Sequence, residues 1–114
     1  SEQTVEKIIY YGAGSPRETL KIISNAYIQA EREIIDLKSV QDAQKSISEE
    51  LMKYLDEKEI SLLKQVYTKT KIPFSDELAK LLIKKVLLDY EDGLEREINP
   101  ILLDNEDFIN LIKD

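Results

Sequence analysis

Apolar positions recur at three- and four-residue steps along most of the chain, which predicts a mainly α protein. In residues 3–11 they are Val5, Ile8, Ile9, Tyr10 and Tyr11. A glycine just past the last turn is the expected stop, so a short helix should close at Gly12. Ser15-Pro16-Arg17-Glu18 opens the next helix, with serine as N-cap, proline at the first helical position and Glu18 completing a capping box. Leu20, Ile23, Tyr27, Ala30 and Ile34 follow, with Ala26 beside them, so a helix of about 20 residues should bury that stripe. Val40, Ala43, Ile47, Leu51 and Leu55 line a helix expected over residues 39–54. Asp56 caps another, in which Ile60, Leu63, Val66 and Tyr67 face inward and which fades in "TKTKIP" before Pro73. Ser75 caps a helix over 76–84, backed by Leu78, Leu81 and Leu82.

Past Lys85 the pattern becomes extended. Two short runs flank Glu91-Asp92-Gly93, the second holding Leu94, Arg96 and Ile98, and together they predict a β-hairpin. Pro100 should end it, and a final helix turns Phe108, Ile109 and Ile112 inward. Ile101, Leu102 and Leu103 in a row exceed what one amphipathic face needs, so some of them cover the hairpin or meet a partner. Helices followed by a hairpin is the order of a winged-helix unit. We expect a three-helix core with its wing and a C-terminal helix in residues 51–114, preceded by a helical segment over residues 1–50.

With 114 residues, 42% of them hydrophobic, the chain is one domain or two very small ones. No apolar run approaches the roughly 18 residues of a membrane span, and no basic n-region precedes an apolar h-region. A cytoplasmic protein that does not enter the membrane is expected. The sequence holds no cysteine and no histidine, which removes disulfides, thiolate nucleophiles, structural zinc and imidazole bases together. The acidic clusters Glu49-Glu50, Asp56-Glu57-Glu59, Glu91-Asp92 and Asp104-Glu106-Asp107 fall mostly at helix starts and turns, where carboxylates cap the backbone and favour the dipole. None has the ligand spacing of a calcium loop. The chain alone is therefore expected to bind no metal and to be no enzyme.

Asp and Glu number 23 against 16 Lys and Arg, a formal charge of -7, which opposes binding to a polyanion. Lys80, Lys84 and Lys85 offer a small basic stripe on the helix before the hairpin, the element that would enter the DNA major groove. Asp76 and Glu77 stand at the start of that helix, however, and Glu91-Asp92 at the hairpin tip. A protein partner, a second copy of the chain or docking within a longer polypeptide is the stronger expectation. Tyr10 and Tyr11 read as core and rim of a helix pair rather than as a platform for bases.

Arg17 raises its own question, because a cation in a first helical turn meets the positive end of the dipole. It needs an anion nearby, and Glu18 or Glu6 could supply one as an ordinary surface pair. Gly14-Ser15-Pro16-Arg17 also resembles the Gly-x-Pro-Arg that starts the sensor 2 helix in the helical lid of AAA+ and related STAND ATPases. The long helix carrying Leu20, Ile23, Ala26 and Ala30 is similar to that lid, as is the spacing of Ile35, Val40 and Ala43. Origin-licensing initiator ATPases and many prokaryotic relatives place a winged helix directly after it. The resemblance implies that Arg17 contacts the terminal phosphates of ATP held by a preceding P-loop domain. This chain has no Gly-x-x-x-x-Gly-Lys-Ser/Thr loop, so ATP would be a cofactor only together with that domain. The alternative is a stand-alone winged-helix module that binds DNA or a protein, with residues 1–38 serving dimerisation or packing.

Overall fold

The computed structural model describes residues 1–31, 33–90 and 95–113, with Tyr90 and Glu95 described by backbone only. The turn expected at Glu91-Asp92-Gly93, and Leu94 with it, lies outside the described residues. The protein is mainly helical with one small antiparallel sheet. Its elements run α1 (Glu2–Gly12), α2 (Pro16–Gln29), α3 (Leu37–Met52), α4 (Glu57–Tyr67), α5 (Asp76–Ile83), β1 (Leu87–Tyr90), β2 (Glu95–Ile98), α6 (Pro100–Leu103) and α7 (Glu106–Lys113). Contacts divide the chain into two compact units, Ser1–Glu49 and Glu50–Asp114.

In the first unit α1 packs on α2. Gly12 does not stop α1 from outside as the sequence suggested. It is the last helical residue, and the left-handed stop is Ala13, at φ 50°. Gly12 is needed instead for close approach: a Cβ there would overlap the Thr19 hydroxyl and stand 3.1 Å from the Thr19 Cβ. Helix α2 begins at the expected cap, with the Ser15 Oγ accepting from the Glu18 N–H and Pro16 in the first turn, but the expected capping box is not closed, because the Ser15 N–H donates to the Gly12 carbonyl at 2.9 Å. It ends at Gln29, well before Ile34, and the expected stripe is inverted. Glu18, Ile22 and Ala26 are buried, whereas Leu20, Ile23, Tyr27 and Ile34 are exposed. Helix α3 buries Val40, Ala43 and Ile47 as its spacing implied, while Leu51 and Leu55 are half-buried. Asp36 starts it: the carboxylate accepts from the Ser39 N–H at 2.8 Å and the Asp36 N–H donates to the Ser39 hydroxyl at 2.9 Å. Hydrogen bonding from the Ser39 backbone first, and from its side chain second, holds the Asp36 carboxyl below the usual aspartate range.

The second unit is organised around α4, which packs against α5, β2 and α7. Its core comprises Leu63 and Val66 of α4, Leu78 and Leu81 of α5, Val86, Leu87 and Ile98 of the hairpin, Ile101 and Leu102 of α6, and Phe108 and Ile112 of α7. Ile60 and Ile109 are half-buried, and Tyr67 is exposed rather than inward. Asp56 and Glu59 form a reciprocal capping box at the start of α4, and the Ser75 hydroxyl accepts from the Leu78 N–H at the start of α5. The hairpin pairs Leu87 with Ile98, Leu88 with Glu97 and Asp89 with Arg96. Pro100 does not simply end β2, as expected, but opens the short helix α6. Asn99 caps that helix with its Oδ1 and donates from Nδ2 to the Lys85 carbonyl at 3.0 Å. In this way α6 buries Ile101 and Leu102, which accounts for two members of the apolar run.

Both α4 and α5 end in Schellman turns without glycine. The Thr70 N–H donates to the Gln65 carbonyl and the Val86 N–H to the Leu81 carbonyl, with Lys69 and Lys85 left-handed at φ 62° and 66°. Such a conformation strains an L-residue by roughly 1–2 kcal/mol, while glycine adds unfolded-state entropy of about 0.4–1 kcal/mol. The side chain of Lys85 is exposed, and the bond from Asn99 uses only its carbonyl. Lys85→Gly should therefore raise stability by about 0.5–1 kcal/mol in urea denaturation. A loss would show that the lysine stem contributes packing.

Candidate functional site

The residues singled out from the sequence fall on two surfaces, one in each unit. In the first, Arg17 lies in the opening turn of α2 and is exposed. It has no ion-pair or hydrogen-bond partner among the described residues, so neither Glu6 nor Glu18 neutralises it. The reason is geometric for Glu18, which is turned inward and buried. On a 3.6-residue helix Leu20 follows Arg17 one turn along the same side. Leu20, Ile23 and Tyr27 then continue an exposed apolar stripe opposite Ile22 and Ala26. Helix α1 likewise leaves Val5 at 54% and Ile9 at 63% exposure. Tyr11 is buried and Tyr10 partly exposed, with ring centroids 5.4 Å apart and the Lys7 ammonium 5.5 Å from each ring. Core and rim is thus the arrangement these tyrosines adopt.

In the second unit the basic stripe on α5 does not present itself as three free lysines. Lys80 is exposed, and Lys85 is exposed in its left-handed turn. Lys84 is committed inward: its Nζ donates to both Glu59 oxygens, at 3.1 and 2.9 Å, and to the Tyr54 carbonyl at 3.4 Å. Glu59 is almost fully buried and also accepts from the Asp56 N–H at 3.2 Å. The stripe read from the i, i+4 spacing of Lys80 and Lys84 therefore holds one member whose charge is spent on the capping box of α4. The acidic hairpin tip, Glu91-Asp92, lies outside the described residues.

A different basic cluster went unread in the sequence. An open groove of about 440 Å³ is lined by Val66, Lys69, Thr70, Lys71, Ile72, Arg96 and Glu97. It joins the turn after α4 to strand β2, segments some 25 residues apart, and so carries no linear signature. Among the described residues no group of three or more carboxylates is placed to hold a metal ion, and no helix is long and apolar enough to cross a membrane. Comparison with protein-family models, with curated proteins and with solved structures yields no match.

Proposed function

We propose that this chain is the regulatory and interaction region of a P-loop ATPase. In this reading the α1–α2 hairpin belongs to a lid and the second unit is a winged helix. Arg17 couples the nucleotide state of a preceding domain to the lid and wing. The observation that carries it is the exposed Arg17, without a partner among the described residues, one turn ahead of the outward apolar stripe Leu20, Ile23 and Tyr27. A docked domain would cover that stripe, and its bound phosphates would supply the anion that Arg17 lacks among the described residues. A guanidinium suits that role because its planar fork matches phosphate oxygens. The winged-helix assignment is supported by the order α4, α5, β1, β2 and by the packing of α4 on both α5 and β2.

The test uses the native-length polypeptide. Immunoblotting should find a band heavier than this chain by a nucleotide-binding domain, on the order of 200 residues. Arg17→Ala in that protein should lower ATP hydrolysis by about tenfold or more. In the present chain the same change should leave stability within ~0.5 kcal/mol, as for any exposed side chain without a partner. Unchanged hydrolysis, or a native band of this chain's own mass, would reject the proposal. The second result would favour a stand-alone module instead.

A further inference from the structure

We propose that the groove between the C-terminal turn of α4 and strand β2 is a binding site for a phosphate-type oxyanion, held by Arg96, Lys69 and Lys71. This inference does not rest on the ATPase reading or on Arg17. It begins with an orphan: the Arg96 Nε is buried and has no hydrogen-bond partner among the described residues. Buried polar groups are nearly always paired, and a charged donor without an acceptor is among the costlier exceptions. Among the described residues, local carboxylates do not fill the role. Asp89 stands directly opposite Arg96 in the hairpin register, where cross-strand side chains readily meet, and Glu97 lines the same groove. Among the described residues neither forms an ion pair with Arg96.

The remaining lining fits an anion. Lys69 and Lys71 border the groove from the facing turn and have no ion-pair partners among the described residues. That turn is preorganised, since the Schellman bonds Lys69 N–H to Val66 carbonyl at 3.0 Å and Thr70 N–H to Gln65 carbonyl at 2.9 Å fix its backbone. The Thr70 hydroxyl, 3.1 Å from that of Thr68, adds a polar group at the rim. Among the described lining residues Lys69, Lys71 and Arg96 stand against Glu97 alone, with Asp89 across the strand from Arg96, so the groove is more positive than the chain's net charge of -7 suggests. An oxyanion with several acceptor atoms satisfies the guanidinium and both ammonium groups at once, which a single carboxylate does less well. The groove exceeds one phosphate in size, so a diphosphate or a phosphorylated small molecule is the class of ligand that fits it best.

The chain would be titrated with pyrophosphate and, separately, with inorganic phosphate, following backbone amide shifts by NMR at constant ionic strength. Saturable shifts confined to residues 69–72 and 96–97 are expected, with pyrophosphate binding tighter than phosphate. Arg96→Gln should weaken pyrophosphate by about tenfold or more, and the exposed Lys71→Gln by about threefold. Because Arg96 is half-buried, Lys71→Gln keeps the test valid should Arg96→Gln disturb the hairpin. Shifts spread over all lysines, equal affinity in both variants, or binding of duplex DNA with no response to pyrophosphate would each overturn the proposal.

Discussion

Lys84→Ala is expected to destabilise the protein by about 2 kcal/mol, although the residue reads from the sequence as a surface lysine. The cause lies with its partner. The Glu59 side chain is 2% exposed, and its two oxygens receive the Lys84 ammonium at 2.9 and 3.1 Å. Removing the ammonium leaves a buried carboxylate with the Asp56 N–H as its one remaining donor among the described residues. Losing one member of a fully buried pair costs about 3–5 kcal/mol. Lys84 is about a third exposed, so water entering the vacated space recovers part of that amount. Glu59→Gln keeps an acceptor for the cap while removing the charge, and should itself be destabilising. In the Glu59→Gln background Lys84→Ala should lose much of its effect, leaving a coupling of at least ~1 kcal/mol in a double-mutant cycle. Urea denaturation of the four proteins decides the matter. Additive effects, or a single mutant within ~0.5 kcal/mol of the parent, would show the pair to be a surface contact of little consequence.

The Asp56 and Ser75 caps and the change to a hairpin after Lys85 were legible because each is encoded within a few neighbouring residues. The employment of Lys84 was not, because its partner is 25 residues away and no local pattern distinguishes a lysine that reaches inward from one that reaches out. The groove of Arg96, Lys69 and Lys71 has no local signature for the same reason. Helix α6 was hidden by Pro100, which ends strands and opens helices equally well. Only Asn99, bridging back to Lys85, distinguishes the two outcomes.

The face of α2 was ambiguous in a different way. Leu20, Ile23 and Tyr27 have faultless helical spacing, but so do Glu18, Ile22 and Ala26, and the chain buries the second set. Periodicity detects a stripe without saying which of two stripes meets the partner helix. Side-chain size acts at one point of the buried face: Gly12 of α1 allows close approach at Thr19, where Leu20 or Tyr27 would not fit, although the larger Tyr11 and Ile22 are buried as well. The exposed stripe that results is the surface on which the proposed docking relies. Its exposure and the close crossing are thus two consequences of one packing choice.

Gly12→Ala tests that choice and should destabilise the protein by about 1–2 kcal/mol. On propensity alone the change would help, since alanine in a helix gains up to ~1 kcal/mol over glycine. Packing opposes it. The new methyl would overlap the Thr19 hydroxyl, a contact that turning the threonine side chain can relieve. It would still lie 3.1 Å from the Thr19 Cβ and 3.3 Å from its Cα, and neither atom can swing away. The helices must then separate by a few tenths of an ångström, an overpacking strain of about 1–3 kcal/mol. Thr19→Ala removes the hydroxyl and leaves the two carbons, so in that background Gly12→Ala should keep most of its cost. Thermal and urea denaturation of the two single mutants and the double mutant measure this directly. If Gly12→Ala instead raises the melting temperature, propensity has won, α1 and α2 do not approach so closely, and small residues cannot be what turns Leu20, Ile23 and Tyr27 outward.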